Sequence, residues 1–302
     1  MVTSTGNHPA ALWPGVEAMF GRSYNEHAME CTQIFTVKGS KKAYEEVVRV
    51  TGTGLAPVKA EGDSTSYTDT SQADTTRYTN VAYSLGTIVT REAIADNLYE
   101  DVGKANAEAL GFSMRTTKEV VSANVLNRGF NASYVGGDGK ELFATDHPSA
   151  VGNQSNELAV AADFSEASLE DMLTNIMEAK NYEGLQIAIR GERLIVPPSL
   201  AFDAERVLKS TLRSGTDFND VNAVRSMGLL PQGYIVNHYL TDSDAWFIKT
   251  DVPNGLTMFK RQGIEFTRDN DFDTGNAKAK AYERYAVGWS DWLGCFGTPG
   301  AA

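Results

Sequence analysis

The chain has 302 residues, 42% hydrophobic and 22% charged, the proportions of a folded protein with material for one large domain or two smaller ones. Its 27 Lys and Arg face 39 Asp and Glu, a formal charge of −12, which excludes binding to DNA or anionic lipid through a general basic face. No apolar run approaches the ~18 residues of a membrane span, the opening MVTSTGNHPAALWPG lacks the regions of a secretory signal, and Cys31 and Cys295 fit neither a zinc spacing nor a disulfide framework, so folding in a reducing cytoplasm is expected.

Residues 1–32 mix Gly, Pro and polar residues with Trp13, Phe20 and Tyr24, and a short helix fits between Pro14 and Gly21. The segment reads as an arm lying on something else. Two β-branched, alternating stretches follow, YEEVVRVTG and RYTNVAYSLGTIVT, and predict strands. Around and between them, eight of residues 51–80 are Thr and the only large aliphatics before the second strand are Leu55 and Val58. Such a segment buries no core, so the strands form an extended hairpin with a long polar tip. Loops of this length are functional or disordered rather than incidental.

Next, Ile94, Leu98, Val102, Ala105, Ala109 and Phe112 recur at steps of three and four, and Val120, Ala123, Leu126 and Phe130 continue after Thr116. The spacing predicts a spine helix over about 92–130, ~55 Å long and buried along that stripe. Gly103 and Gly111 mark places for a bend. DFSEASLEDMLTNIMEAKNYEG predicts a second helix, capped by Asp163 or Ser165, with Leu169, Met172, Leu173, Ile176 and Met177 inward and Gly184 as its stop. ERLIVPPS reads as a short buried strand, and SLAFDAERVLKSTL as a helix with Leu200, Ala204, Val207, Leu208 and Leu212 inward. GYIVNHYLTDSDAWFIKTD gives two strands around residues 241–244. The final stretch, from GIEFTRDNDFDTG to GWSDWLGCFG, is strand, polar turn, strand, strand.

Chemistry is sparse. GDGKELFATDHPS places Asp138, Glu141, Asp146 and His147 within ten positions, which raises an acid/base or metal site. One histidine in a loop is a poor ligand set, Pro148 favours turn backbone at His147, and GGDG is turn chemistry, so a structural reversal is the preferred reading. TGTGLAP lacks the third glycine and the helix of a dinucleotide fingerprint. DNDFDTG, with Asp269, Asp271 and Asp273, has Thr274 and Lys280 where a calcium loop needs Gly and Glu, so a solvated turn is expected. Lys278, Lys280 and Arg284 read as a solvated strand face. No catalytic residue, cofactor or metal is expected, and the chain is not expected to be an enzyme.

An arm, a projecting hairpin and a spine without a site describe a subunit that buries its extended parts on other copies. In this order the motifs become specific. TKEVVSANVLNRGFN followed by GDGKELFATDHPS, then ERLIVPPSLAFDAERVLKS, TDSDAWFIKTD and IEFTRDNDFDTGNAKAKAYERYAVGWSDWLG resemble the major capsid proteins of tailed bacteriophages, which have the Hong Kong 97-like fold. The Leu-Phe…His-Pro stretch is similar to the head subunits of Mu-like prophages. The resemblance covers residues 33–297.

It implies an α+β chain with an N-terminal arm over 1–35, an E-loop hairpin over 36–90, a P-domain over 91–150 and 255–302, and an α/β A-domain over 151–254. It also implies assembly as hexamers and pentamers into an icosahedral shell around double-stranded DNA, without sequence-specific contact and without a membrane. A portal protein, a scaffolding protein and a decoration protein are the implied partners, and the virion capsid, assembled in the host cytoplasm, is the implied location. With about 32 residues ahead of the E-loop, either scaffolding comes from a separate protein or the chain is a processed product. The inter-subunit contact residues expected on the arm and hairpin are Trp13, Phe20, Leu55, Val58, Lys59, Tyr67, Arg77 and Tyr78. Crosslinking through Lys59 occurs in only some relatives and is not assigned. The alternatives are an encapsulin-like nanocompartment shell and a hydrolytic or metal-dependent α/β enzyme using Asp146 and His147.

Overall fold

A computed structural model describes residues 13–96, 99–212, 221–271 and 273–301. One four-stranded sheet draws its strands from both ends of the sequence. Its order is β1 (Thr36–Gly39), β8 (Leu256–Asn270), β9 (Ala277–Trp289) and β4 (Val81–Val89), with β1 parallel to β8 and the other pairs antiparallel. Alternation in β9 dictates its faces: Ala277, Ala279, Ala281 and Tyr285 are buried, and Lys278 and Lys280 between them point to solvent. The acidic run between β8 and β9 is a turn, as expected. Asp271 accepts from Lys278 Nζ at 2.6 Å, and its own N–H donates to the carbonyl of Asn276 at 2.9 Å.

The inner face of this sheet carries α1 (Trp13–Tyr24) and α4 (Tyr99–Asn127), the latter preceded by the short α3 (Arg91–Ala95). Helix α4 runs through Gly103 and Gly111 without interruption. Gly111 is where α1 crosses it: a Cβ there would lie 2.8 Å from the Phe20 carbonyl oxygen and 3.2 Å from Ser23 Cβ. The arm therefore rests on its own spine.

The buried face of α4 differs from the predicted stripe. Ala123 and Leu126 do face inward, but Ala105, Ala109, Phe112 and Val120 are exposed, and the inward positions include Leu110, Met114, Lys118, Glu119 and Ser122. Ile94, Leu98 and Val102 fall among side chains outside the description. The physical reason is that the inward face is partly ionic. Lys118 Nζ lies 2.6 Å from Glu283 Oε1, and the Tyr24 hydroxyl donates to the other Glu283 oxygen at 3.0 Å. Glu119 accepts the backbone N–H groups of Glu30 and Cys31 at 2.8 and 2.9 Å and so holds the start of α2 (Cys31–Ile34). Periodicity of apolar residues cannot register a face whose polar groups find partners far along the chain.

A second sheet has the order β10 (Cys295–Thr298), β7 (Trp246–Thr250), β5 (Gly191–Val196) and β6 (Tyr234–Val236). The two strands predicted around 241–244 exist but do not pair with each other; β5 lies between them, parallel to β6 and antiparallel to β7. Helices α5 (Glu166–Glu178), α6 (Ala201–Lys209) and α7 (Ala223–Met227) accompany it. Ser165 caps α5, exchanging hydrogen bonds with Ser168, and Leu169, Met172 and Ile176 meet Leu194, Trp246, Ile248 and Phe296 in the core. Met177 and Leu212, predicted inward, are exposed.

Strands β2 (Tyr44–Val50) and β3 (Gln72–Thr79) form a separate two-stranded ribbon. It is tied to the body at its base, where Tyr78 packs on Phe259 at 4.9 Å and its hydroxyl meets Ser290 Oγ at 2.5 Å.

Candidate assembly surfaces

Beyond the ribbon, residues 52–70 have no strand or helix and every one is exposed. Leu55 is 83%, Val58 100% and Tyr67 92% exposed, and Lys59 stands beside them in solvent. Isolated exposed apolar residues need no explanation, but three on one tip with no packing partner do. The other expected contact residues are placed differently. Phe20 is spent inside the chain, packed against Phe266 at 4.8 Å with the rings tilted by 31°, and Tyr78 is buried in the ribbon base. Arg77 pairs across the ribbon with Glu46 at 2.7 Å and lies over the Tyr44 ring at 4.4 Å. Trp13 opens α1, its side chain outside the description. The structure thus places Leu55, Val58, Lys59 and Tyr67 on the exposed extremity of the ribbon and leaves Arg77 and Tyr78 on its strand β3 and Phe20 in the core.

A second open surface is the stripe that the sequence predicts to be buried. The outward stripe of α4, with Ala105, Ala109, Phe112 and Val120, keeps a helical apolar period but is covered by nothing among the described residues. The signal was present; what covers the stripe was not legible. Strand β4 adds a third feature. It is an edge strand whose nine residues, VAYSLGTIV, pair with β9 without a bulge and contain no charge and no proline, the devices that ordinarily protect a free edge.

The His147 region is a different kind of structure. The ring is fully buried, stacked on Trp292 at 4.5 Å with planes 4° apart. Nδ1 lies 2.6 Å from Asp138 Oδ2, and Nε2 3.3 Å from Asn156 Oδ1. Asn156, also fully buried, donates to the carbonyls of Leu142 at 2.7 Å and Cys295 at 3.0 Å and accepts from the Ala144 N–H at 3.0 Å. Asp146 instead pairs with Lys140 at the surface. Asp146 and His147 therefore do not form the pair a hydrolytic site would need. Among the described residues no group of three or more His, Cys, Asp or Glu side chains is placed to hold a metal ion. The knot fastens the turn after the spine helix to the strand that ends the chain.

Residues 73–297 match the family model described as phage capsid protein. The chain belongs to the phage capsid protein family. No curated protein sequence matches it. Solved structures that it resembles include a virus-like particle from Pyrococcus furiosus, at 9% identity and a TM-score of 0.58 over 95% of this chain and 99% of that one. The procapsid of bacteriophage JBD30 matches at 14% identity and 0.53 over 98% and 76%, and the mature capsid of bacteriophage PhiM1 at 11% and 0.52 over 90% and 86%. At these identities the likeness establishes the fold, which is that of the Hong Kong 97-like capsids. This capsid protein is a shell subunit.

Proposed function

We propose that this capsid protein assembles through hexamers and pentamers into the icosahedral head of a tailed phage, enclosing double-stranded DNA. The exposed tip carries the reading. Residues 52–70 hold Leu55, Val58 and Tyr67 away from the protein's own core, and a chain gains from such a projection only when another copy covers it. In this reading residues 44–79 are the projecting E-loop. Strands β1 and β4, within the 36–90 span expected for it, are bonded into the sheet of the P-domain. The second sheet with α5, α6 and α7 is the A-domain, and the arm is α1 with the residues before it.

Portal, scaffolding and decoration proteins are the partners of such a head, and assembly precedes packaging in the host cytoplasm. The role is architectural rather than catalytic. A net charge of −12 suits a wall that holds DNA without adhering to it.

The test is to express the chain, sediment it and image the fast fraction by negative-stain electron microscopy. Rings of five and six or closed particles are expected. Leu55→Asp with Val58→Asp is expected to abolish them while changing the stability of the dissociated chain by less than about 0.5 kcal/mol, as for exposed positions generally. A chain that stays monomeric at high concentration with a scaffolding protein co-expressed overturns the reading.

A further inference from the structure

The second sheet carries an apolar projection at one end and an apolar groove at the other. Phe202, in the first turn of α6, is 75% exposed. It follows the carboxyl end of β5. The groove precedes the amino end of the same strand, with a volume of about 520 Å³, and is lined by Leu173, Met177, Ile189, Met227 and Leu229, with Arg190 at its side. Met177 and Met227 are themselves 45% and 65% exposed. Because β5 and β6 run parallel and α6 returns between them, ring and groove lie at opposite ends of the layer and cannot meet within one chain.

We infer that Phe202 of one copy seats in the Leu173–Met177–Met227 groove of the next, forming the head-to-tail contact that closes the capsomer ring. This rests on the shell reading above and names the residues of one contact within it. A projection and its socket on opposite ends of a subunit make a heterologous interface, the kind that repeats around an axis until it closes. The groove is apolar except for one charge, and that charge is complemented. Among the described residues the Arg190 side chain has no ion-pair or hydrogen-bond partner, its backbone N–H and carbonyl both bonding Asp251, while Asp203, next to Phe202, pairs there with Arg206 alone, at the surface. A seated Phe202 carries Asp203 toward Arg190. The two methionines suit the demand that one contact serve two ring sizes. Their flexible, polarisable side chains repack around an aromatic ring as the rotation between neighbours changes from six-membered to five-membered rings.

The test uses the full chain. Phe202→Glu is expected to weaken association about 10- to 100-fold per contact, the factor for an aromatic ring left unburied, and so to remove rings in sedimentation velocity. Arg190→Asp is expected to weaken it as well, and Asp203→Arg in the same chain to restore it at least in part. Phe202→Cys with Met227→Cys, mildly oxidised, is expected to give a covalent ladder ending at five and six subunits, with neither single variant doing so. Cys31 and Cys295 are buried and do not compete. Wild-type rings together with normal rings in Phe202→Glu, or with no ladder in the double cysteine chain, overturn the inference and leave the shell reading intact. A wild-type chain that never associates overturns both.

Discussion

Replacing Lys118 by Met tests whether the spine is held by charge. Lys118 and Glu283 are 7% and 1% exposed, 2.6 Å apart, and join the middle of α4 to the centre of β9. Methionine keeps most of the aliphatic volume and removes the ammonium, leaving the Glu283 carboxylate with the Tyr24 hydroxyl, at 3.0 Å, as its hydrogen-bond donor. Burial, and next Glu283 itself, push the Tyr24 hydroxyl far above its ordinary range, so it stays a donor. Breaking one side of a buried pair costs ~3–5 kcal/mol, whereas replacing both partners by apolar residues is often neutral. Set against a total of ~5–15 kcal/mol, the single change removes a large part of the stability. Urea unfolding of the dissociated chain, followed by far-UV circular dichroism, is the assay. Lys118→Met is expected to lose ~3–5 kcal/mol, and Lys118→Met with Glu283→Met to recover most of it. A single-variant loss below about 1 kcal/mol refutes the reasoning, since an isolated buried carboxylate cannot be that cheap.

Gly111→Ala separates propensity from packing. On propensity alone alanine stabilises α4 by ~1 kcal/mol, but the added methyl meets the Phe20 carbonyl at 2.8 Å, so a net loss of ~1–3 kcal/mol is expected, with limited proteolysis cutting after α1 sooner than in wild type. The thiols give a pH-dependent prediction. Burial pushes Cys31 up to about 12 and raises Cys295 as well, so both are neutral in the folded chain where an unfolded thiol near 8.5 begins to ionise. A raised folded value contributes stability that is complete below the unfolded value and is lost as pH rises through the folded one. Neither thiol should react with an aromatic disulfide at pH 8 until urea is added, and stability should decline from about pH 8.5 upward.

Much of the fold was legible because its signals are local. Alternation in AKAKAYERYAVGW gave β9, the serine before EASLEDML gave the start of α5, and the two prolines after ERLIV gave the end of β5. The spine helix was legible too, though α4 covers 29 residues, Tyr99–Asn127, rather than the whole of 92–130, and its orientation was not, because Lys118 and Glu119 take partners from β9 and α2. An inward lysine is indistinguishable from an outward one until Glu283, far along the chain, is brought beside it. The site followed the same rule. The tip declared itself through its threonines and the isolation of Leu55 and Val58. Phe20 and Tyr78 looked equally available in sequence and proved to be buried in the chain's own packing. Asp146 looked like the partner of His147 because it is adjacent, whereas a turn delivers Asp138 to the ring. Phe202 and its groove gave no warning, since an aromatic on an amphipathic helix ordinarily points inward.

The sheet that pairs β4 with β9 and β1 with β8 has a consequence for synthesis. The residue opening β9, Ala277, emerges about 190 residues after its partner Val89, which at ~5–20 residues per second is a wait of ~10–40 s on the ribosome. Throughout that interval β4, uncharged and free of proline, has neither of its edges paired by its own chain. A nascent head subunit is therefore sticky before it is competent, and a prematurely terminated one lacks the strands on which the spine rests. Completion of translation acts as a timer: only a finished chain carries the β9 strand that covers one edge of β4.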